Sequence, residues 1–156
     1  MPATTLAPRC YESMFLYCES LVSAPILPAM DLADRCYDSM FCQCSSLTNA
    51  PKLPAVNLEP RCYNSMFKGT KITKMPLLPA TKLPDYCYAG MFSYCKKLTE
   101  VCDLPATEIT DNCYNSMFAS CSSLKDKPKF GAEISKETNN FIFSGCPCRG
   151  KKVRYI

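Results

Sequence analysis

The chain has 156 residues, 47% of them hydrophobic and 21% charged, so it carries the apolar content to bury a core and falls outside the disordered class. Its net charge of +4 is mild and its basic residues are scattered except for Arg149, Lys151, Lys152 and Arg154, which argues against a nucleic-acid-binding stripe. Thirteen cysteines without a single histidine remove the commonest general base, exclude Cys–His nucleophilic chemistry and leave any zinc to thiolates alone.

At the N-terminus, Met1-Pro2-Ala3-Thr4-Thr5 has neither the basic start nor the apolar stretch of a signal peptide. No apolar run reaches the roughly 20 residues of a membrane helix, so membrane insertion is not expected. The chain opens in mid-unit, because Pro2-Ala3-Thr4-Thr5-Leu6 matches Pro105-Ala106-Thr107-Glu108-Ile109. A first strand and a polar cap are missing there. Such a start is expected of an excerpt from a longer repeat domain, or of a bare end that serves for assembly.

The unit then declares itself. Cys-Tyr recurs at Cys10-Tyr11, Cys36-Tyr37, Cys62-Tyr63, Cys87-Tyr88 and Cys113-Tyr114, at intervals of 26, 26, 25 and 26. Met-Phe begins four residues after each of these cysteines, from Met14-Phe15 to Met117-Phe118. A second cysteine follows at Cys18, Cys44, Cys95 and Cys121, with Thr70 in its place in the third copy. A leucine comes three residues later (Leu21, Leu47, Leu98, Leu124), replaced by Ile72 where one residue is deleted. Leu-Pro-Ala closes the unit at Leu27, Leu53, Leu78 and Leu104, with Phe130-Gly131-Ala132 as its degenerate form. A worn last copy runs from Ile134 through Ile142-Phe143 and Cys146 to Ile156, making about six copies in all.

Each unit divides into two halves. In 113–124 the apolar residues Cys113, Met117, Cys121 and Leu124 step by 4, 4 and 3, a helical spacing that Tyr114 and Phe118 widen. Pro8, Asp34, Pro60, Asp85 and Asp111 share one position and suit the first turn of a short helix. The other half, as in 47–54, reads as a short extended segment ended by proline. One strand and one short helix cannot close a core alone, so the copies are expected to stack.

The pattern Phe-x-x-Cys-x-x-Leu followed by a short proline-terminated segment resembles the BspA-like (TpLRR) leucine-rich repeats. It is carried by Phe41-Cys42-Gln43-Cys44-Ser45-Ser46-Leu47, Phe92-Ser93-Tyr94-Cys95-Lys96-Lys97-Leu98 and Phe118-Ala119-Ser120-Cys121-Ser122-Ser123-Leu124. Phe143-Ser144-Gly145-Cys146 is nearest to the family form, and the resemblance spans essentially the whole chain. It implies an α/β repeat fold over 1–156: a right-handed leucine-rich-repeat solenoid of about six turns, each with a short strand on the concave face and a short helix on the convex face. Residues 134–156 would be a degenerate C-terminal repeat or cap, with the charged run Lys151-Lys152-Val153-Arg154-Tyr155-Ile156 on its outer edge. The resemblance also implies a bacterial surface or secreted protein. The unit departs from the family by carrying Ala-Pro inside the expected strand (Pro25, Pro51, Pro128, and Pro76 after Met75). Proline donates no ladder bond, so a short, irregular sheet is expected.

Three readings compete for the thiols. Cys10, Cys36, Cys62, Cys87 and Cys113 would stack as one buried ladder and Cys18, Cys44, Cys95, Cys121 and Cys146 as a second, since reduced cysteine packs as a small hydrophobe. A disulfide framework suits a secreted chain. Within one unit it fails, because cysteines eight apart on a helix lie about 12 Å apart and a bridge needs Cα atoms within about 7 Å. Bridges between copies stay open, above all for Cys42, Cys102 and Cys148. A zinc site from Cys42-Gln43-Cys44 and Cys146-Pro147-Cys148 is disfavoured by the four repeats between the pairs.

No phosphate loop, recurring carboxylate pair or other catalytic constellation is visible, so neither enzyme activity nor a cofactor is expected. The Met-Phe pairs read as core. Function then falls to exposed positions that vary between copies: Ser23 and Ile26, Asn49 and Lys52, Lys74 and Leu77, Glu100 and Asp103, Asp126 and Lys129. The resemblance places them on the concave, partner-binding face. The expected function is a non-enzymatic protein-binding module of an adhesin-like protein, contacting a host or cell-surface protein. The alternative is a structural spacer or a repeat element that self-associates through its uncapped ends.

Overall fold

Backbone hydrogen bonding departs from the helical pattern at every second residue of the Cys-Tyr segments. In 7–18, the N–H groups of Cys10, Glu12, Met14, Leu16 and Cys18 each donate to the carbonyl three residues back. Those of Arg9, Tyr11, Ser13, Phe15 and Tyr17 instead donate to Asp34, Cys36, Asp38, Met40 and Cys42 of the next repeat, at 2.8–3.0 Å. An α-helix would send every N–H four residues back along its own chain. Here every fourth residue is left-handed: Arg9, Ser13 and Tyr17 have φ of 58°, 55° and 59°. That value at the third place of a turn marks type II, so the segment is a ribbon of overlapping β-turns. The same rhythm recurs at Arg35, Ser39 and Gln43, at Arg61, Ser65 and Gly69, at Tyr86, Gly90 and Tyr94, and at Asn112, Ser116 and Ser120.

This computed structural model, which describes residues 3–135 and 139–148, contains no helix among the described residues. The expected leucine-rich-repeat architecture of strand plus helix is therefore replaced by a non-helical repeat solenoid. The physical reason lies in the spacing. Steps of 4, 4 and 3 satisfy a four-residue turn ribbon as well as a helix. Pro8 and Pro60 are equally ambiguous: a φ near −65° suits the second position of a type II turn as much as the first turn of a helix.

The expected strand is also displaced. Among the described residues the strands are β1 (Lys82–Leu83) and β2 (Glu108–Ile109), paired in parallel in the register Lys82↔Glu108 and Leu83↔Ile109. They follow Leu-Pro-Ala, whereas the expectation placed the strand in the Ala-Pro segment before it. That earlier segment carries the bridge Lys74↔Glu100, and isolated bridges also join Asp31↔Asn57 and Leu104↔Phe130. Prolines at 25, 51, 76 and 128 withhold the N–H groups a longer ladder would need.

Stacking the coils lines up like residues. Tyr11, Tyr37, Tyr63, Tyr88 and Tyr114 form one column with ring centroids 5.8–6.2 Å apart. Phe15, Phe41, Phe67, Phe92, Phe118 and Phe143 form another at 5.5–5.8 Å. Met40, Met66, Met91 and Met117 fill the interior beside them, with Leu47, Ile72, Leu98 and Leu124, all fully buried. Non-glycine residues in the left-handed region cost about 1–2 kcal/mol each. In the ribbons that cost is offset because both their short-range and their cross-coil hydrogen bonds are made. The last coil keeps the pattern at Phe141 and Gly145. Its Tyr position is held by Asn139, whose Oδ1 accepts the Tyr114 N–H at 2.8 Å, while Phe130 packs edge-on against Tyr114. The cap expected at 151–156 lies outside the described residues.

Candidate interaction face

The thiols fall into the two expected columns, with different burial along each. Cys36, Cys62, Cys87 and Cys113 are buried, whereas Cys10 on the first coil is exposed. In the second column Cys44, Cys95 and Cys121 are buried, Cys18 is exposed and Cys146 is half-buried. The thiols of Cys44, Cys95 and Cys121 donate to the carbonyls of Phe15, Phe67 and Phe92 at 3.0, 3.0 and 3.1 Å. Thr70, which replaces one of them, turns its hydroxyl to its own coil's Phe67 carbonyl at 2.8 Å. Burial pushes Cys44 up to about 11 and Cys36, Cys95 and Cys113 up to about 12. These thiols stay protonated near neutral pH, and a protonated thiol is a poor nucleophile and a poor metal ligand.

The off-column cysteines are dispersed. Cys42 is buried in the second ribbon, and Cys102 directs its thiol to the Pro76 carbonyl at 3.4 Å. Cys148 is pushed up to about 12 by burial and by its hydrogen bond with the Cys146 thiol. All thirteen cysteines are free thiols, and no cluster of three metal-ligating side chains forms among the described residues.

All ten variable-face residues are exposed. Asn49, Lys52, Lys74, Leu77 and Glu100 line one open groove of about 820 Å³. Its apolar lining includes Pro51, Leu53, Met75, Pro76 and Val101. Ser23, Ile26, Asp103, Asp126 and Lys129 lie outside it, and of these Asp126 borders a separate depression with Lys125 and Pro147. The groove exists because Pro51 and Pro76 keep neighbouring coils from zipping together: no backbone hydrogen bond joins 51–53 to 76–78. Sequence reasoning did not identify the groove-lining Val101 and Cys102, because their residue types carry no signal of exposure.

Part of the charge on this face is paired between coils. Lys74 meets Glu100 at 3.2 Å and Lys129 meets Asp103 at 4.0 Å, each between equivalent positions of adjacent repeats. A third such pair, Lys82 with Glu108 at 3.0 Å, crosses β1 and β2. These exposed pairs are worth at most about 1 kcal/mol, so they bias register more than they hold the stack. Lys52 has no ion-pair partner among the described residues, and Leu77 is 75% exposed.

No protein-family model, curated protein or solved structure matches the chain.

Proposed function

We propose that the chain is a non-enzymatic protein-binding repeat module, part of a surface or secreted adhesin-like protein, and that it binds through the groove around Lys52 and Leu77. The observation that carries this reading is the segregation of side chains. Those that recur between repeats are buried from the second coil to the fifth, while five that vary gather around one open, apolar-floored groove. A solvent-facing leucine on such a floor, rimmed by an unpaired cation, suits a protein segment that brings an apolar side chain and an acidic group. Cys102, which lines the groove, is pushed up by burial and directs its thiol to the Pro76 carbonyl, which supports contact rather than reaction there. The resemblance of the Phe-x-x-Cys-x-x-Leu segments to BspA-like repeats supports a host or cell-surface protein as partner and a place at the cell surface or outside the cell.

The test is site-specific photocrosslinking to a cell-surface protein preparation. A crosslinker at Leu77 or Lys52 should trap a discrete partner, and one at Val56, on a different face, should not. Equal capture from all three sites, or none from the groove, would defeat the reading.

A further inference from the structure

Lysines scattered along the sequence are gathered by stacking onto one edge of the molecule. Each ribbon runs out into a corner, 42–48, 68–73, 93–99 and 119–124 in the second to fifth coils. These corners lie one on the next. Gln43 donates its N–H to the Lys68 carbonyl at 2.7 Å, Gly69 to Ser93 at 2.8 Å and Tyr94 to Ala119 at 2.7 Å, while Lys71 donates back to Leu47 at 3.0 Å. Lys68, Lys71, Lys96 and Lys97 all fall on the two middle corners, and none of the four corners holds an aspartate or glutamate. Lys71 and Lys97 each precede the buried residue that ends the corner, Ile72 or Leu98. They therefore repeat one coil apart, where the rings of Phe67 and Phe92 are 5.8 Å from each other.

Two features separate this edge from an ordinary solvated surface. Lys74, Lys82 and Lys129 are each paired with a carboxylate of an adjacent coil, whereas the four corner lysines have no ion-pair partner among the described residues. Carboxylates gather instead at the other end of the ribbons, where 31–35, 57–61, 82–86 and 108–112 hold Asp31, Asp34, Glu59, Asp85, Glu108 and Asp111 against Arg35, Arg61 and Lys82. Each coil is thus polarised across its width, and an anion is drawn to one corner and repelled from the other. The second feature is Tyr94, 51% exposed between the lysines, at a position filled by Gln43, Gly69 and Ser120 in the neighbouring coils. The Gln43 amide lies over Gly69, in the space a side chain there would occupy.

We propose that this edge binds a sulfated polysaccharide laid along the stack. Successive sulfates meet the ammonium groups of Lys71 and of Lys96 and Lys97, and the Tyr94 ring takes the face of a sugar. The Gln43 amide and the serines of the flanking corners suit the sugar hydroxyls. Other polyanions fit less well. An ammonium is a point charge that takes a sulfate in any orientation, and the edge has no arginine fork for a phosphate. A nucleic-acid strand also requires a run of stacking rings, and Tyr94 is the only ring exposed on these corners. A bilayer requires aliphatic side chains to insert, and the exposed residues here are lysine, threonine, serine and that tyrosine. Each exposed contact is weak alone, so the partner is a chain of many charges rather than a single anion. None of these residues lines the groove at Lys52 and Leu77, so the inference stands apart from the binding reading above.

Surface plasmon resonance of the full chain over immobilised heparin tests this, beside desulfated heparin, single-stranded DNA and phosphatidylserine vesicles. Binding to heparin should saturate, weaken as salt rises, vanish on the desulfated surface and exceed binding to DNA or vesicles. Lys96→Glu with Lys97→Glu should weaken it by about tenfold or more, at a few-fold per exposed contact. Lys82→Glu with Arg9→Glu makes the same change of charge away from this edge and should stay within about twofold, because distant charges are screened. Tyr94→Asn keeps a residue that tolerates the left-handed backbone and should weaken binding by about threefold. All five positions are exposed, and a wild-type circular dichroism spectrum verifies that each variant is folded. Should the Lys96 and Lys97 reversal lose that spectrum, Lys96→Gln with Lys97→Gln makes the same test. No saturable binding to heparin, equal binding to its desulfated form, tighter binding to DNA or vesicles, an equal loss in the two charge-reversed proteins, or full affinity in Tyr94→Asn would each overturn the proposal.

Discussion

Between neighbouring coils the turn ribbons exchange a hydrogen bond at every second residue, whereas no backbone bond joins the proline segments 51–53 and 76–78 of the same two repeats. The ribbons repeat their residue types almost without change and bury them; the proline segments alternate one buried leucine with an exposed residue that differs from copy to copy. One side of the repeat is thus committed to stacking and the other is released from it. Proline does the releasing by removing donors, and the groove opens where it does so. A repeat in which both sides were laddered would hold together better and leave no open groove around Leu77 and Lys52.

The largest expected effect is alkaline, and it strikes the ribbon side. Burial raises Cys36, Cys95 and Cys113 from 9.0 to about 12, and it raises Tyr63 and Tyr88 well above 10.0. The folded state therefore holds these protons more tightly than the unfolded chain. Its advantage is full below pH 9 and is lost as pH rises toward 12. A pH titration followed by circular dichroism should show cooperative unfolding in that window, and a fold unchanged to its upper end would contradict the burial of the columns.

Next in size, Phe67→Ala in the middle of the phenylalanine column should cost about 3–5 kcal/mol in denaturant unfolding. Leu77→Ala in the groove should cost less than about 0.5 kcal/mol. Equal costs would erase the contrast between the two sides. Smaller still is Gly90→Ala. Gly90 sits at φ +60, and an added Cβ would come 3.0 Å from the Ser65 hydroxyl, so a loss of about 1–2 kcal/mol is expected. If the ribbon were helical instead, the same change would stabilise it by up to about 1 kcal/mol. Lys74→Ala, which removes an exposed cross-coil ion pair, should shift stability by less than about 1 kcal/mol, measured in the same unfolding assay.

The repeat length, the stacking and the identity of the buried columns were legible because they depend on spacing between copies, which residue matching reads directly. The local conformation inside a copy was not, because the step from Cys10 to Met14 to Cys18 serves two backbones. The deciding signal was present but faint. Gly69, Gly90 and Gly145 all fall at left-handed positions, and serine or asparagine occupies several of the others, including Ser39, Ser65, Asn112 and Ser116. These are residue types that tolerate that region or weaken a helix. Arg35, Gln43, Tyr86 and Tyr94 at equivalent sites hide the rhythm, because they take the left-handed shape only under the hydrogen bonds of the neighbouring coil. On the interaction face, exposure of the ten variable residues followed from their variability. Which five meet in a groove depended on where Pro51 and Pro76 hold neighbouring coils apart, and no residue type announces that distance.

Site-resolved amide hydrogen exchange on the native protein tests the division of labour most directly. The amides of Tyr37, Phe41, Tyr63 and Phe67, each bonded across coils, should exchange only through global unfolding, while those of Lys52 and Leu77 should exchange quickly. Slow exchange at Lys52 and Leu77, or fast exchange through the ribbons, would contradict the account of a stack held on one side and open to solvent on the other.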